Sequence, residues 1–358
     1  MIDQSLPAID EIEVSVFGRG YGEAICVHLG DGEWMLVDSC LYPGTKTPAS
    51  LRYLSALGVA VNSQVRAVVA THWHDDHVQG IGTIVQACDN ATIVCSAAIR
   101  SKEFIAFVMR QEFAKGVLGS GVDELRTLLQ ICAARGRAPI WAKANLPLHP
   151  RPPGDVPRVV ALAPSDDAVD RTLRALIATA TQAEVTVPRR YSAPEGANGA
   201  SVATWIRNAE VALLLGADLE TSTNTETGWN AVITYALPAR RASAVKIPHH
   251  GSHTGHHDEM WSKLLDPDCL AIITPWIRGR KRLPTDADIA RIRSQTNKAY
   301  ITALPSQVVS AKKQDQLVRK LHGAQISELR GWGHVRARRR LDESSWRVEL
   351  EGDAVAIA

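Results

Sequence analysis

The chain has 358 residues, with 40 Lys+Arg against 38 Asp+Glu, and 45% of its residues are hydrophobic and 22% charged. That is globular composition and excludes disordered, collagen-like and disulfide-scaffold chains. No apolar run approaches the roughly 18–20 residues of a membrane span, and the acidic opening MIDQSLPAIDEIE is unlike a signal peptide. No membrane partner and a cytoplasmic address are therefore expected. The six cysteines are scattered without CxxC spacing and read as reduced, buried small hydrophobes.

In chain order, EVSVFG, AICVHL and EWMLVD read as a β-meander whose last strand ends on Asp38. A helix near 48–58 leads to the strand RAVVAT, then to a loop carrying THWHDDH, a helix around 79–88 and the strand ATIVCS. Two helical patterns fill an insertion at about 101–145, and a Pro-rich loop follows at 145–157. After the strand VVALAP and a long helix, a second half begins near 200 with SVATWIR, VALLLGAD and SAVKIPHHGSHTG. LAIITPW leads into a helix at 285–295, and the tail mixes a basic helix, GHVRARRR and a final strand around WRVELEGDAVAI. Two halves of strands ending in ligand-type residues predict an α/β fold, a sheet-on-sheet core covered by helices.

The strongest chemical signal is His72-Trp73-His74-Asp75-Asp76-His77. Three imidazoles and neighbouring carboxylates seldom crowd together unless their lone pairs are used, and such donors suit Zn²⁺, Mn²⁺ or Fe. A turn lets His72 and His74 share one ion while Asp76 and His77 face a second. The cluster follows a buried strand, where α/β proteins build sites.

The pattern His72-x-His74-x-Asp76-His77 resembles the HxHxDH signature of the metallo-β-lactamase-fold hydrolases, over roughly residues 11–280. The resemblance implies a four-layer αββα sandwich with the helical insertion, over residues 1–310, and a basic C-terminal extension, 311–358, packing on the same domain. It also implies a ligand set: Asp218, ending LLLGAD, as the carboxylate bridging two metals, and His249 in VKIPHHGS as the last histidine ligand, with His250 open as the alternative. Asp38 would orient a ligand from behind. The family's further histidine has no obvious counterpart. His149 is the only histidine between His77 and Asp218, and the matching position falls better at Asn198. A neutral amide is a weak donor, so one of the two divalent ions, Zn²⁺ or Mn²⁺, is expected to be held loosely. Asn198, the Gly-rich FGRGYGEAICVHL and the PHHGS segment are similar to one subgroup, the hydrolase domain of the bacterial competence DNA-uptake channel and its soluble relatives.

Two ions roughly 3.5–4 Å apart activate a water as hydroxide. Asp76 would orient that nucleophile as well as bind metal, and His250 and His253 would donate the leaving group's proton. Residues 271–340 hold 16 Lys+Arg and 4 Asp+Glu, so this block predicts either a polyanionic partner or a solvated helical face. With Ser252, Arg278, Arg280 and Arg282 as substrate contacts and GHVRARRR as a phosphate grip, the expected function is a metal-dependent phosphodiesterase or nuclease acting on a nucleic acid or nucleotide. The alternatives are a hydrolase of a small carbonyl substrate (lactam, lactone or thioester), or a nucleic-acid-associated subunit activated by a partner. The helical insertion is long enough for a lid, a homodimer face or a protein-partner surface.

Overall fold

The computed structural model describes residues 4–109, 121–149, 158–185, 197–308 and 331–358. The middle of the helical insertion, most of the Pro-rich loop and the basic helix expected after 310 lie outside them. Among the described residues, strands β1 (Glu11–Gly18), β2 (Glu23–His28), β3 (Trp34–Val37), β4 (Val65–Ala70), β5 (Thr92–Ser96) and β6 (Ile140–Ala142) belong to one sheet. Strands β7 (Val159–Ala161), β8 (Thr204–Asn208), β9 (Val211–Leu215), β10 (Ala242–Lys246) and β11 (Leu265–Ile273) belong to a second, and β12 (Trp276–Arg278) and β13 (Lys281–Leu283) form a separate hairpin. Strand β14 (Ala299–Ile301) joins the second sheet, β15 (Gly333–Arg340) and β16 (Arg347–Gly352) the first, and β17 (Val355–Ala356) the second. The orders are β16-β15-β1-β2-β3-β4-β5-β6 and β17-β14-β11-β10-β9-β8-β7.

Alternation along each strand explains the layering. Ile12, Val14 and Val16 of β1, Ala67 and Val69 of β4, Leu213 and Leu215 of β9 and Leu270 and Ile272 of β11 all enter one buried cluster between the sheets. Their sequence neighbours face outward. Phe17, Cys26, Val68 and Ala70 pack under α1 (Ala49–Ala56), α2 (Val61–Gln64), α4 (Ile81–Ala87) and α6 (Gly121–Ala134), with the short α3 (Asp75–Val78) and α5 (Lys102–Met109) on the same side. The other outer face packs beneath Trp229 and Val232 of α8 (Gly228–Tyr235) and Ile292 of α9 (Asp286–Arg293), with α7 (Asp166–Val185) nearer the first sheet's cluster through Leu176. Helix, sheet, sheet, helix: the architecture is the αββα sandwich. All six cysteines are buried and free. No helix among the described residues is long and apolar enough to cross a membrane.

The tail departs from expectation. GHVRARRR is strand β15, paired with β1 over its whole length from Gly18↔Gly333 to Glu11↔Arg340. Val335 and Ala337 face the inter-sheet core, which turns Arg336 and Arg338 to the opposite, covered face. Arg336 is 1% exposed and donates through Nε to Glu349 at 2.8 Å; Arg338 is 6% exposed and donates to Glu13 at 2.7 Å. Tyr53 and Ser15 donate to the same Glu13 carboxylate. The expectation that these two arginines grip a phosphate backbone is corrected: each is already neutralised inside the sheet.

Replacing Arg338 by Met is expected to cost about 3 kcal/mol, because it leaves the Glu13 carboxylate buried without its cation. Thermal denaturation would register this as a lower Tm. An unchanged Tm would mean that the pair is not structural.

Candidate metal centre

Each half of the cluster hangs from the C-terminal ends of parallel strands, β3-β4-β5 in one sheet and β9-β10-β11 in the other. From the first sheet, β3 runs into Asp38 and β4 runs through Thr71 into His72, His74, Asp76 and His77, the last two on α3. From the second, β9 ends three residues before Asp218, and β10 delivers His249 and His250 in a single turn. Backbone strain concentrates here. Asp38 (φ 57°), Ala217 (φ 46°), His249 (φ 45°) and His250 (φ 53°) all adopt the left-handed conformation that non-glycine residues avoid.

The resulting geometry is compact. One ligand atom from each of Asp76, His77, Asp218 and His250 lies within 4.8 Å of the others, and the same holds for His72, His74 and Asp218. Asp218 belongs to both groups. Nε2 of His77 is 3.3 Å from Asp218 Oδ1, and Nε2 of His250 is 3.4 Å from Asp76 Oδ2 and 3.5 Å from Asp218 Oδ2. The opposite nitrogens are occupied. Asp38 accepts from His77 Nδ1 at 2.6 Å, Thr71 Oγ1 lies 3.0 Å from His72 Nδ1, and the Thr274 carbonyl lies 3.2 Å from His250 Nδ1. Thr71 in turn donates its amide and hydroxyl to Asp38.

With Nδ1 fixed in this way, all three rings turn Nε2 into the same space. There, Nε2 of His72, His77 and His250 and Oδ1 of Asp218 are buried with no hydrogen-bond partner. Native interiors rarely leave polar atoms so. Four orphaned lone-pair donors pointing at one another fit divalent metal ions, and the imidazole–carboxylate chemistry is that of Zn²⁺ or Mn²⁺ sites.

Burial, together with His77 and His74, holds His72 well below the usual imidazole range, and burial lowers His74 as well. Burial also opposes charge on His250, but Asp218 and Asp76 outweigh it and raise that histidine to about 9. Asp218 and Asp38 raise His77 against its own burial in the same way. Asp76 and Asp218 stay ionised, because the proximity of His250 and His77 overcomes their burial.

One sequence expectation changes. The structure brings His250, not His249, to the carboxylates. Two successive left-handed residues rotate His249 to the rim, where Nδ1 lies 2.8 Å from Thr254 Oγ1 and 3.0 Å from Glu220, and Nε2 faces the Asn198 amide nitrogen at 3.2 Å. His250 is thus a candidate ligand rather than a free proton donor. Asn198 has a buried, unpartnered Oδ1. His149 is held by Glu33 at 3.3 Å, as a structural contact. His253 is exposed, and no hydrogen bond or ion pair joins its side chain to the cluster among the described residues. Ser252 is buried and accepts from the Thr254 amide. Arg278, Arg280 and Arg282 are exposed on the β12–β13 hairpin.

Sequence reasoning missed Glu220 and Thr254, which hold His249, and the buried Glu23, Lys246 and Thr274 behind His250. A lysine inside the apolar strand SAVKIP was the available signal. Tyr21, in the Gly-rich turn before β2, was missed too. Burial and then the charges of Asp76 and Asp75 push its phenol up to about 12, with Arg278 opposing them.

With this geometry in hand, the comparisons can be read. A sequence model of the Metallo-beta-lactamase superfamily matches residues 18–183. No curated protein matches. The matched stretch ends before Asp218 and His250, so the second half of the cluster is supplied by residues beyond it. The superfamily match and the donor set together point to a metal-dependent hydrolase.

Since Asp218 and Asp76 raise His250 to about 9, a divalent ion must displace its proton to reach Nε2. Metal affinity is therefore expected to rise with pH from about 6 to about 9, with net proton release. Calorimetric titration in buffers of differing ionisation enthalpy measures both quantities, and a pH-independent affinity would contradict the assignment of His250.

Proposed function

We propose that the protein is a metal-dependent phosphodiesterase acting on a nucleic acid or nucleotide, with two divalent ions, Zn²⁺ or Mn²⁺, in the centre. In this reading His72, His74 and Asp218 hold one ion, and Asp76, His77, Asp218 and His250 hold the other. The first site has three donors against the other's four, which makes it the weaker. Bound ions would supply Lewis acidity and lower the pKa of an attacking water. Asp38 and Thr71 keep the His77 and His72 rings aimed.

The observation that carries the phosphodiester reading is the position of the basic hairpin. Trp276 bridges to Gly20, and Ile277 donates its amide to the Gly20 carbonyl, which ties β12–β13 to the Tyr21 turn. Tyr21 lies near enough to both Asp76 and Arg278 for each charge to act on its phenol, Asp76 raising and Arg278 lowering it. Arg278, with Arg280, Lys281 and Arg282 along the same hairpin, binds the phosphate that a polyanion presents there. The raised phenol of Tyr21 stays a neutral hydrogen-bond donor to a phosphate oxygen. His249 lines the rim, with Thr254 and Glu220 holding Nδ1 and the Asn198 amide facing Nε2. A likeness to the competence-channel hydrolase domain in motif order supports a polynucleotide substrate. The buried arginines of β15 lend no support, and the reading stands without them.

The test is hydrolysis of bis-p-nitrophenyl phosphate and of labelled single- and double-stranded DNA and RNA, with Zn²⁺ or Mn²⁺, beside a panel of lactams, lactones and thioesters. Phosphodiester cleavage that disappears in Asp218→Ala and His250→Ala is the expected result. Arg278→Ala should raise KM about tenfold, the size of one charge-assisted hydrogen bond, with kcat nearly unchanged. Turnover of a carbonyl substrate alone, insensitive to Arg278→Ala, would overturn the phosphodiester reading in favour of a small-molecule hydrolase.

A further inference from the structure

Glu23 opens β2 in the first sheet and Lys246 closes β10 in the second. Their side chains meet across the sandwich with Nζ 2.6 Å from Oε2, and neither has any solvent exposure. Burying two charges is costly, and an apolar pair of similar volume is commonly as stable or more so. Packing alone therefore does not account for the pair, and its position says more.

Lys246 is three residues before His249 and donates to the Ile247 carbonyl at 3.0 Å, fixing the strand end from which His250 turns. Thr274 donates its hydroxyl to the same Glu23 oxygen, and both the hydroxyl and the carbonyl of Thr274 lie 3.2 Å from His250 Nδ1. Toward the first sheet, a carboxylate oxygen of Glu23 lies within 4.8 Å of ligand atoms of Asp38 and His77. Glu23 thus touches the supports of both half-centres.

We propose that Glu23 and Lys246 form a positioning clamp that sets the spacing between the two sheets' halves of the metal centre and, through Thr274, the orientation of the His250 ring. The proposal rests on the metal-centre reading but not on any choice of substrate. Asp38 supports His77 within one sheet, whereas this pair acts between sheets. The two sheets contribute different ligands, so their separation decides whether Asp218 and His250 reach Asp76 and His77.

Metal binding by the full-length protein tests this, read from the visible d–d absorption of Co²⁺ and by Zn²⁺ competition, with thermal denaturation of the metal-free protein alongside. Glu23→Gln and Thr274→Val are expected to weaken Co²⁺ binding about 10–100-fold and alter the absorption band, while Thr274→Ser restores both. Glu23→Gln leaves a lone buried ammonium and can simply unfold the chain. The double variant Glu23→Leu/Lys246→Met removes both charges and is expected to match or exceed the wild-type Tm while keeping the weakened affinity and altered band. A double variant that binds Co²⁺ as the wild type does would overturn the clamp and reduce the pair to packing. If instead the wild type binds Co²⁺ no better than His250→Ala does, the metal centre itself fails and the clamp with it.

Discussion

Everything distinctive in this molecule follows from burying charge where two sheets meet. Three imidazoles and two carboxylates are buried together, with their ligand atoms within reach of one another. Each would be prohibitively costly alone. Together they balance in part, Asp218 and Asp76 against the protonated forms of His77 and His250, and cations are suited to complete the balance. The surrounding architecture spends itself on holding that arrangement: left-handed turns at Asp38, Ala217, His249 and His250, carboxylates and hydroxyls behind the rings, and an ion pair joining the sheets.

The division of labour between sheets explains the ordering of the chain. The first sheet contributes a contiguous motif on one loop, while the second contributes isolated residues at strand ends. A contiguous motif carries its own signature, and isolated residues do not. The superfamily match accordingly covers residues 18–183 and stops before Asp218. Resemblance named Asp218 and left His249 and His250 open; the convergence of Asp218 and His250 on Asp76 and His77 is visible only in three dimensions.

How much could be read beforehand divides along the same line. Periodicity and turn residues located the strands β1 to β5, the buried runs VALLLGAD and SAVKIP, and the helices at 48–58 and 285–295, because their apolar spacing is regular. The choice between His249 and His250 was not legible. It depends on two consecutive positive φ angles, a backbone property that neither residue type announces. GHVRARRR misled for a different reason. Its charge count suggested a surface, yet Val335 and Ala337 alternate with Arg336 and Arg338 at the strand period, and burial of the arginines depends on Glu349 from the next strand and on Glu13 from the far end of the chain. Long-range pairing of this kind leaves no local trace.

The pairing of β1 with β15 also constrains how the molecule comes into being. The strand that starts the first sheet takes its neighbour from a segment more than three hundred residues later, at Gly18↔Gly333 through Glu11↔Arg340. As the chain emerges during synthesis, one edge of β1 stays unpaired, with the Glu13 carboxylate lacking its guanidinium, until more than three hundred further residues have appeared. Closing so long a loop is slow, and an open strand edge is a template for pairing with other chains. The sandwich therefore closes late, and the interval before it closes is when aggregation competes most strongly with folding.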